Sequence, residues 1–252
     1  MSWLLTLSLI LLLVPLKANC RDQGLITIAV ASNFVTPMRE ICEVFETEHP
    51  YKVQVSSGSS GKFFAQIKHG APYDILFSAD QKIPKALEQQ GFAVAGSRFT
   101  YAVGLLTLWS SNRGAIKDPE RALKSGDFRK LALANPKLAP YGAAAEQILN
   151  SLDLEDSSRS KWVFGENISQ TFQFTHSGNA DLGFVAFSQL QNGQKGGKTW
   201  AVPQKLYSPI KQDAVLLKNA LEKPAVRHFL KFFTTEKART IIRKYGYQTQ
   251  QL

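Results

Sequence analysis

The sequence is poor in cysteine and in acidic residues, and each shortage excludes a class of protein. Two cysteines, Cys20 and Cys42, among 252 residues exclude a disulfide-stabilised scaffold and any CxxC zinc or redox motif. The chain has 20 acidic against 30 basic residues, a formal net charge of +10. No five basic residues are consecutive, which argues against a tail that binds nucleic acid. The positive excess leaves an anionic small ligand or an acidic membrane surface as its explanation.

Long apolar runs are also scarce, and the one present lies at the N-terminus. Residues 4–16 (LLTLSLILLLVPL) are too few to span a bilayer as a helix and match the apolar core of a secretory signal. We expect residues 1–20 to be a signal peptide, cleaved near residues 18–20, and the mature chain to be a soluble periplasmic protein. Acylation of Cys20, as in a lipoprotein, and an uncleaved membrane anchor are the alternatives.

The cleavage position decides what Cys42 can do. A cut before Cys20 would leave both cysteines in an oxidising compartment, where they could pair. A cut after Cys20 would leave Cys42 alone. Because Cys42 lies on the apolar face of a predicted helix, we interpret it as a small core residue.

Strands and helices alternate along the first third of the mature chain. β-branched runs predict strands at residues 26–30, 51–55 and 74–77. One helix is predicted to open at Thr36-Pro37, with Thr36 as its N-cap, and another near Ser60. This β-α-β-α-β order favours a largely parallel sheet with right-handed crossovers.

A second β/α block follows a long predicted strand at residues 101–109. The further strands expected are 131–134, 184–187, 199–202 and 215–217. Apolar stripes predict helices around residues 145–152, 226–233 and 238–245. The chain is therefore expected to be an α/β protein with more than one sheet segment.

Small polar turns separate three of these strands from the helices that follow. The turns are Ala31-Ser32-Asn33, residues 57–61 (SGSSG) and Ala139-Pro140-Tyr141-Gly142. Ligands of open α/β sheets bind beyond the carboxyl ends of the strands, where helix N-termini offer free N–H groups to an anion. The alternative is that each serine only caps its helix.

Common enzyme motifs are absent from these turns. Gly58 and Gly61-Lys62 are too close together for a nucleotide-binding P-loop, and Lys62 stands where a hydrolase nucleophile elbow needs glycine. Neither GxGxxG nor HExxH occurs, and the four histidines are scattered singly. The sequence thus predicts a binding protein rather than an enzyme.

The turns and their surroundings resemble the periplasmic molybdate-binding proteins of molybdate ABC importers. The stretches that carry the resemblance are Ala31-Ser32-Asn33-Phe34, residues 56–61 (SSGSSG), Ala65-Gln66-Ile67, Gly70-Ala71-Pro72, residues 77–81 (FSADQ), residues 96–102 (GSRFTYA), Ala139-Pro140-Tyr141-Gly142, residues 181–186 (DLGFVA) and Lys244-Tyr245-Gly246-Tyr247. They cover nearly the whole mature chain in register.

The resemblance implies a two-lobed type II periplasmic binding protein fold. Two mixed sheets flanked by helices would be joined by a two-strand hinge. Lobe I would comprise residues 24–102 plus 206–252, and lobe II residues 103–205, with the crossover strands near Tyr101 and Leu206. The lobes of this family close on an oxyanion bound between them.

The resemblance also implies the binding residues. The positions that match the family's oxyanion-binding set are Ser32, Asn33, Ser60, Tyr141 and Ile168. The serines would give hydroxyl and main-chain donors, whereas Tyr141 and Ile168 would give main-chain N–H groups at helix starts. Some members use a tyrosine where this chain has Ala186, so the chain is similar to the branch that uses Asn33 instead. Ser32, Ser60, Tyr141 and Ile168 are the expected contacts to the metal-centred molybdate ion.

The expected function is capture of molybdate, and of tungstate too, for a membrane permease of an ABC importer. No catalysis, cofactor or nucleic-acid partner is expected, and the protein is expected to be monomeric. Two alternatives remain open: the same fold could bind sulfate, phosphate or another anion, or Ser32 or Ser60 could serve a hydrolase.

Overall fold

Two five-stranded mixed sheets, each flanked by helices, form the protein, which confirms the predicted fold class. The computed structural model describes residues 24–111, 116–191 and 196–249. The predicted signal peptide and Cys20 lie outside the described residues. Among the described helices, none has the length and apolar character needed to cross a membrane.

Sheet I has the strand order β2-β1-β3-β10-β4. Its strands are β1 (Leu25–Ala31), β2 (Lys52–Gly58), β3 (Ile75–Phe77), β4 (Phe99–Gly104) and β10 (Ile210–Leu216). β1 runs parallel to β2 and β3, whereas β10 is antiparallel to both β3 and β4. Strand β2 extends past the predicted Val55 because its Ser56–Gly58 end continues to pair with β1.

Sheet II repeats this arrangement in the order β7-β6-β8-β5-β9. Its strands are β5 (Leu106–Ser110), β6 (Leu131–Ala134), β7 (Trp162–Gly165), β8 (Leu182–Ala186) and β9 (Lys198–Ala201). β6 is parallel to β7 and β8, and β5 is antiparallel to β8 and β9. In each sheet three parallel strands therefore end at a common edge.

The helices cover both sheets and bury the apolar stripes seen in the sequence. They are α1 (Val35–Glu48), α2 (Ser60–Lys68), α3 (Lys82–Gln89), α4 (Pro119–Ser125), α5 (Pro140–Ser151), α6 (Glu155–Ser158), α7 (Ile168–His176), α8 (Phe187–Leu190), α9 (Pro224–Phe233) and α10 (Glu236–Lys244). Helices α1, α9 and α10 share one core with sheet I, and α5 anchors the core of sheet II. Cys42 is buried in the first of these cores as a free thiol, as expected of a core residue.

Two of the predicted element boundaries are wrong. The strand predicted at residues 101–109 is two strands, because β4 ends at Gly104 in sheet I and β5 begins at Leu106 in sheet II. Thr36 is not an N-cap: a 3₁₀ turn at Ser32–Phe34 runs directly into α1, so the helical segment starts at Ser32, five residues before the predicted start at Pro37. Pro37 is tolerated there because it lies in the first turn of α1, where an N–H has no helical partner.

The chain passes between the sheets at two places. Leu105 joins β4 to β5, and residues 202–209 join β9 to β10. The predicted lobe boundaries at residues 102 and 206 fall close to these two crossings and remain a prediction.

Candidate oxyanion-binding site

All five predicted binding residues line one cavity between the two sheets. The cavity is narrow and lies at the carboxyl ends of the parallel strands of both sheets. Its lining comprises Ala31, Ser32, Asn33, Gly58, Ser59, Ser60, Ala79, Ala139, Pro140, Tyr141, Asn167 and Ile168. None of these residues carries a carboxylate, an ammonium, a guanidinium or an imidazole.

Helix α2 offers the cavity one serine with two donors. The first-turn N–H of Gly61 donates to Leu138 O (3.0 Å), and that of Lys62 donates to Ser59 Oγ (3.4 Å). The main-chain N–H of Ser60 takes no part in either bond. Ser60 Oγ accepts the N–H of Ala79 (3.0 Å), so its own hydroxyl hydrogen remains to be donated.

Helix α7 also keeps one main-chain donor. Asn167 is its N-cap, and Asn167 Oδ1 accepts from Ser169 N (3.0 Å) and Gln170 N (3.1 Å). Thr171 N donates to Asn167 O (3.1 Å). These capping bonds do not use the N–H of Ile168, which lies in the first turn of α7. Because this donor belongs to the main chain, an apolar residue can belong to an anion site.

Helix α5 also keeps one main-chain donor at its start, because its first residue is a proline. Pro140 occupies the first turn and has no N–H, and Gly142 N donates to Ala139 O (2.9 Å). The N–H of Tyr141 lies between them as the first donor of the helix. α5 also approaches β6 closely, because a Cβ at Gly142 would lie 2.1 Å from Ala134 O.

Ser32 and Asn33 form the fourth helix start. Both are buried in the 3₁₀ turn that leads into α1, where the first N–H groups have no helical acceptor. Ser32 Oγ donates to Asn167 Oδ1 across the cleft (3.3 Å). The Asn33 amide nitrogen already donates to Gln212 Oε1 (2.8 Å) and Tyr247 Oη (3.0 Å). An anion contact from Asn33 would therefore use its main-chain N–H.

Several further bonds join the two sides of the cleft, so the conformation is closed. Ser169 Oγ donates to Ser32 O (3.3 Å), and Lys62 pairs with Glu166 at the cleft entrance (2.7 Å). This ion pair is about half exposed on both sides, so its contribution to stability is small.

Ala186 lies next to a residue that supports Ile168. Ala186 is fully buried at the end of β8 and does not line the cavity. Its N–H donates to Gln189 Oε1 (2.9 Å), and Gln189 Nε2 donates to Ile168 O (3.2 Å). Gln189 thereby fixes the peptide group that follows the Ile168 N–H.

Tyrosines beneath the cavity are neutral at physiological pH. Burial is the main cause that raises the pKa of Tyr141 well above its usual value, and it raises the pKa of Tyr247 to about 12. The Tyr141 hydroxyl accepts a bond from Gln212 Nε2 (3.2 Å), which leaves the aromatic side chain beneath the cavity rather than against an anion.

The sequence patterns did not indicate three residues that form hydrogen bonds beneath the cavity. They are Gln212, Ser188 and Tyr247, all buried. The available signal was a polar run, Lys211-Gln212-Asp213, inside a strand whose other residues are apolar. A wider surface groove along residues 116–129 is lined by basic and acidic side chains together and contains none of the predicted residues.

Comparisons with known proteins give the family. The model of the bacterial extracellular solute-binding proteins matches residues 26–248. The molybdate-binding protein ModA of Azotobacter vinelandii is 44% identical over 99% of this chain and 100% of its own. ModA of Rhodobacter capsulatus is 46% identical over 90% of this chain and 89% of its own.

A solved structure supports the same assignment. The periplasmic molybdate-binding protein of Azotobacter vinelandii superimposes with a TM-score of 0.84 at 40% identity, covering 90% of this chain and 100% of that one. The sulfate-binding protein SubI of Mycobacterium tuberculosis, at 14% identity and a TM-score of 0.72, shares the fold alone. The chain therefore belongs to the bacterial extracellular solute-binding proteins, in the branch that contains the molybdate-binding protein ModA.

Proposed function

We propose that this protein captures molybdate outside the cytoplasm and delivers it to the membrane permease of an ABC importer. The observation that carries the proposal is the convergence of four helix starts on one small uncharged cavity. Each start presents an N–H that its own capping bonds do not use. The high identity to two molybdate-binding proteins supports the same ligand.

An uncharged lining suits a dianion for a physical reason. Helix N-termini and hydroxyls stabilise negative charge through many short hydrogen bonds. A lysine or arginine buried in the empty cavity would instead suffer the full desolvation cost of an unpaired charge. The +10 net charge then acts at long range, by raising the local concentration of anions.

The absence of a carboxylate from the lining also discriminates between anions. A phosphate that carries a proton needs an acceptor such as a carboxylate, and none lines the cavity. Sulfate and tungstate have the charge and tetrahedral shape of molybdate, so size must separate them. We infer that tungstate binds as well as molybdate, and that sulfate binds more weakly.

The proposal includes no catalytic step and no cofactor. Ser32 and Ser60 lie in a lining without histidine or carboxylate, so neither has a base that could activate it as a nucleophile. We propose a periplasmic monomer that binds its permease and no nucleic acid. An esterase assay with a chromogenic ester tests the hydrolase alternative, and turnover lost in Ser60→Ala would support that alternative.

A panel of oxyanions tests the proposed ligand. Because a ligand at 100 times its Kd adds about 2.7 kcal/mol to the folded state, molybdate should raise the melting temperature by about 5–10 °C. Tungstate should act similarly, and phosphate should have no effect. Calorimetric titration then gives the affinities. A larger shift with sulfate than with molybdate would contradict the assignment and leave sulfate as the ligand.

A further inference from the structure

A buried hydrogen-bond network lies directly beneath the cavity and is centred on Gln212. Gln212 is fully buried on β10, next to the second chain crossing between the sheets. It does not line the cavity. It nevertheless bonds to two residues of the proposed anion site, one from each side of the cleft.

The oxygen and the nitrogen of the Gln212 side-chain amide bond to residues of different lobes. Gln212 Oε1 accepts from Asn33 Nδ2 (2.8 Å), which belongs to the sheet I side. Gln212 Nε2 donates to Tyr141 Oη (3.2 Å), which belongs to α5 on the sheet II side. The helix starts that supply the proposed Asn33 and Tyr141 donors are thus joined through one side chain of the crossing strand.

A second path in the network also crosses between the lobes. Tyr247 Oη donates to Asn33 O (2.7 Å) and lies 2.9 Å from Ser188 Oγ, which follows β8 of sheet II. Ser188 Oγ donates to Asn33 O as well (3.1 Å). The side chain of Asn33 is therefore fixed by partners on its own side of the cleft, and its carbonyl oxygen also accepts a bond from the other side, from Ser188.

The backbone at the crossing is shaped to admit this network. The pairing of β10 with β4 shifts register between Gln212 and Asp213, an irregularity that re-aims side chains. Gly104 ends β4 at the same level, and a Cβ there would lie 2.0 Å from Tyr141 Oη and 2.6 Å from Gln212 Nε2. Any residue larger than glycine at position 104 would displace the pair.

We propose that Gln212 is a positioning residue that couples closure of the two lobes to anion binding. Closure forms the Gln212–Tyr141 bond while the amide holds Asn33, so the donors of the two lobes reach their binding positions together. An anion that pulls the donors together stabilises the same bonds, and opening breaks them. This inference rests on the proposed function for its ligand but makes its own prediction about closure.

Three variants test the coupling by calorimetry with molybdate. Gln212→Met removes both ends of the amide at similar volume, and Tyr141→Phe removes the hydroxyl but keeps the main-chain N–H. Each removes the Gln212–Tyr141 bond across the cleft and should weaken binding about tenfold, the effect of one buried hydrogen bond. The bonds to Asn33 and Tyr101 that Gln212→Met also loses join residues on the sheet I side and do not depend on closure. Because both break the same bond, the double variant should be about as weak as either single one. Weakening of about a hundredfold in the double variant would overturn the coupling.

Tyr245→Phe is the matched control. Tyr245 lies two residues before Tyr247, and its hydroxyl donates to Glu40 within lobe I (2.7 Å), away from the cleft. The control should bind molybdate within about twofold of the parent, since the bond that is lost lies within lobe I and does not connect to the cavity. A tenfold loss in the control as well would mean that tyrosine removal acts through general stability, against the proposal.

A distance measurement tests closure without any ligand. Spin labels at Lys85→Cys and Gln173→Cys, on exposed sites of α3 and α7, report the separation of the lobes in a Cys20→Ser background. Cys42 should stay unlabelled because burial raises its pKa to about 12. Gln212→Met should shift the ligand-free distribution to longer distances. An unchanged distribution with only a lower melting temperature would reduce Gln212 to a structural residue and overturn the proposal.

The two measurements separate this inference from the proposed function. If the parent binds no molybdate, the proposed ligand is wrong, and the ligand-free distances still decide the role of Gln212. If the parent binds molybdate and Gln212→Met binds equally well, the ligand stands and the positioning role is wrong.

Discussion

Ser60 and Ser32 carry similar hydroxyls in different surroundings, so their removal should have different effects. Ser60→Ala loses a hydroxyl donor to a charged ligand, and so does Ser32→Ala if the Ser32 hydroxyl turns from Asn167 Oδ1 to the anion on binding. Each variant should weaken molybdate binding by about 1.5–3 kcal/mol, or about 10- to 150-fold. Ser60→Ala also leaves the buried Ala79 N–H without its acceptor, at a cost of about 1–3 kcal/mol in stability. Ser32→Ala should melt near the parent temperature, because Asn167 Oδ1 keeps its two main-chain donors.

Calorimetry with molybdate and ligand-free melting curves check the serine variants. Serine-to-threonine replacement at position 32 serves as a control, because threonine keeps the hydroxyl. Unchanged affinity in both alanine variants would remove the serines from the site.

Ile168 separates main-chain from side-chain recognition. Ile168→Val should bind nearly as well as the parent, since the N–H survives. Ile168→Pro should bind much more weakly, because proline has no N–H. Proline fits the first turn of a helix, and the preceding Asn167 has the extended backbone (φ −146°, ψ 173°) that proline requires of its neighbour. Calorimetric affinity is the measurement, with circular dichroism as the control for folding.

One result would contradict the role proposed for the Ile168 N–H. A folded Ile168→Pro protein with the parent's affinity would mean that the N–H of Ile168 is not an anion ligand. Tyr141 would then be the remaining main-chain donor proposed on the sheet II side.

Helix starts supply the donors of the proposed anion site, and the cap of α7 allows the effect of charge there to be tested. Asn167→Asp would keep an oxygen to accept the Ser169 and Gln170 N–H groups, and its negative charge suits a helix N-terminus. The variant should therefore melt at or above the parent temperature without ligand. The same carboxylate would line the cavity and repel a dianion, so molybdate affinity should fall at least about tenfold.

An uncharged substitution at position 167 is the control for the added charge of Asn167→Asp. Asn167→Ser retains a capping oxygen without charge and should bind molybdate better than Asn167→Asp. Equal affinity in the two variants would mean that Asn167 is farther from the anion than the cavity lining implies.

Elements with strong local patterns were predictable from the sequence, whereas the break at Leu105 was not. Residues 101–109 are apolar throughout, and an apolar run gives no sign of where a chain changes sheets. The change is fixed by pairing with β10 on one side and β8 on the other, more than 70 residues away along the chain. The Thr36-Pro37 signal was misleading because Ser32–Phe34 had already opened the helix.

The residues that line the cavity could be predicted from the sequence, whereas the hydrogen-bond network that supports them could not. Turn chemistry and the family resemblance identified five residues that the fold brings together, and their binding role remains a prediction. The network beneath them joins Asn33 to Gln212 and Tyr247, which are 179 and 214 positions away along the chain. No local pattern encodes such pairs, because each depends on how distant parts of the chain pack around sheet I.

For the whole molecule, we expect ligand binding to narrow the distribution of lobe orientations. The proposed donors come from both sheets, and two crossings connect the lobes, an arrangement suited to hinge closure. Small-angle scattering should give a smaller radius of gyration with molybdate than without it. An expansion on binding would contradict the closure model, and Gly104→Ala should reduce the ligand-induced decrease by displacing Tyr141 and Gln212.

The place of β10 in sheet I also sets the timing of folding. β10 lies between β3 and β4, so neither strand can complete its pairing before residues 210–216 join the sheet. About 100 residues separate the end of β4 from β10, so this pairing is non-local and slow to form. The edges of β3 and β4 that face β10 stay unpaired until then, and unpaired edges can pair with other chains. The folding chain is therefore most exposed to aggregation before β10 inserts between β3 and β4.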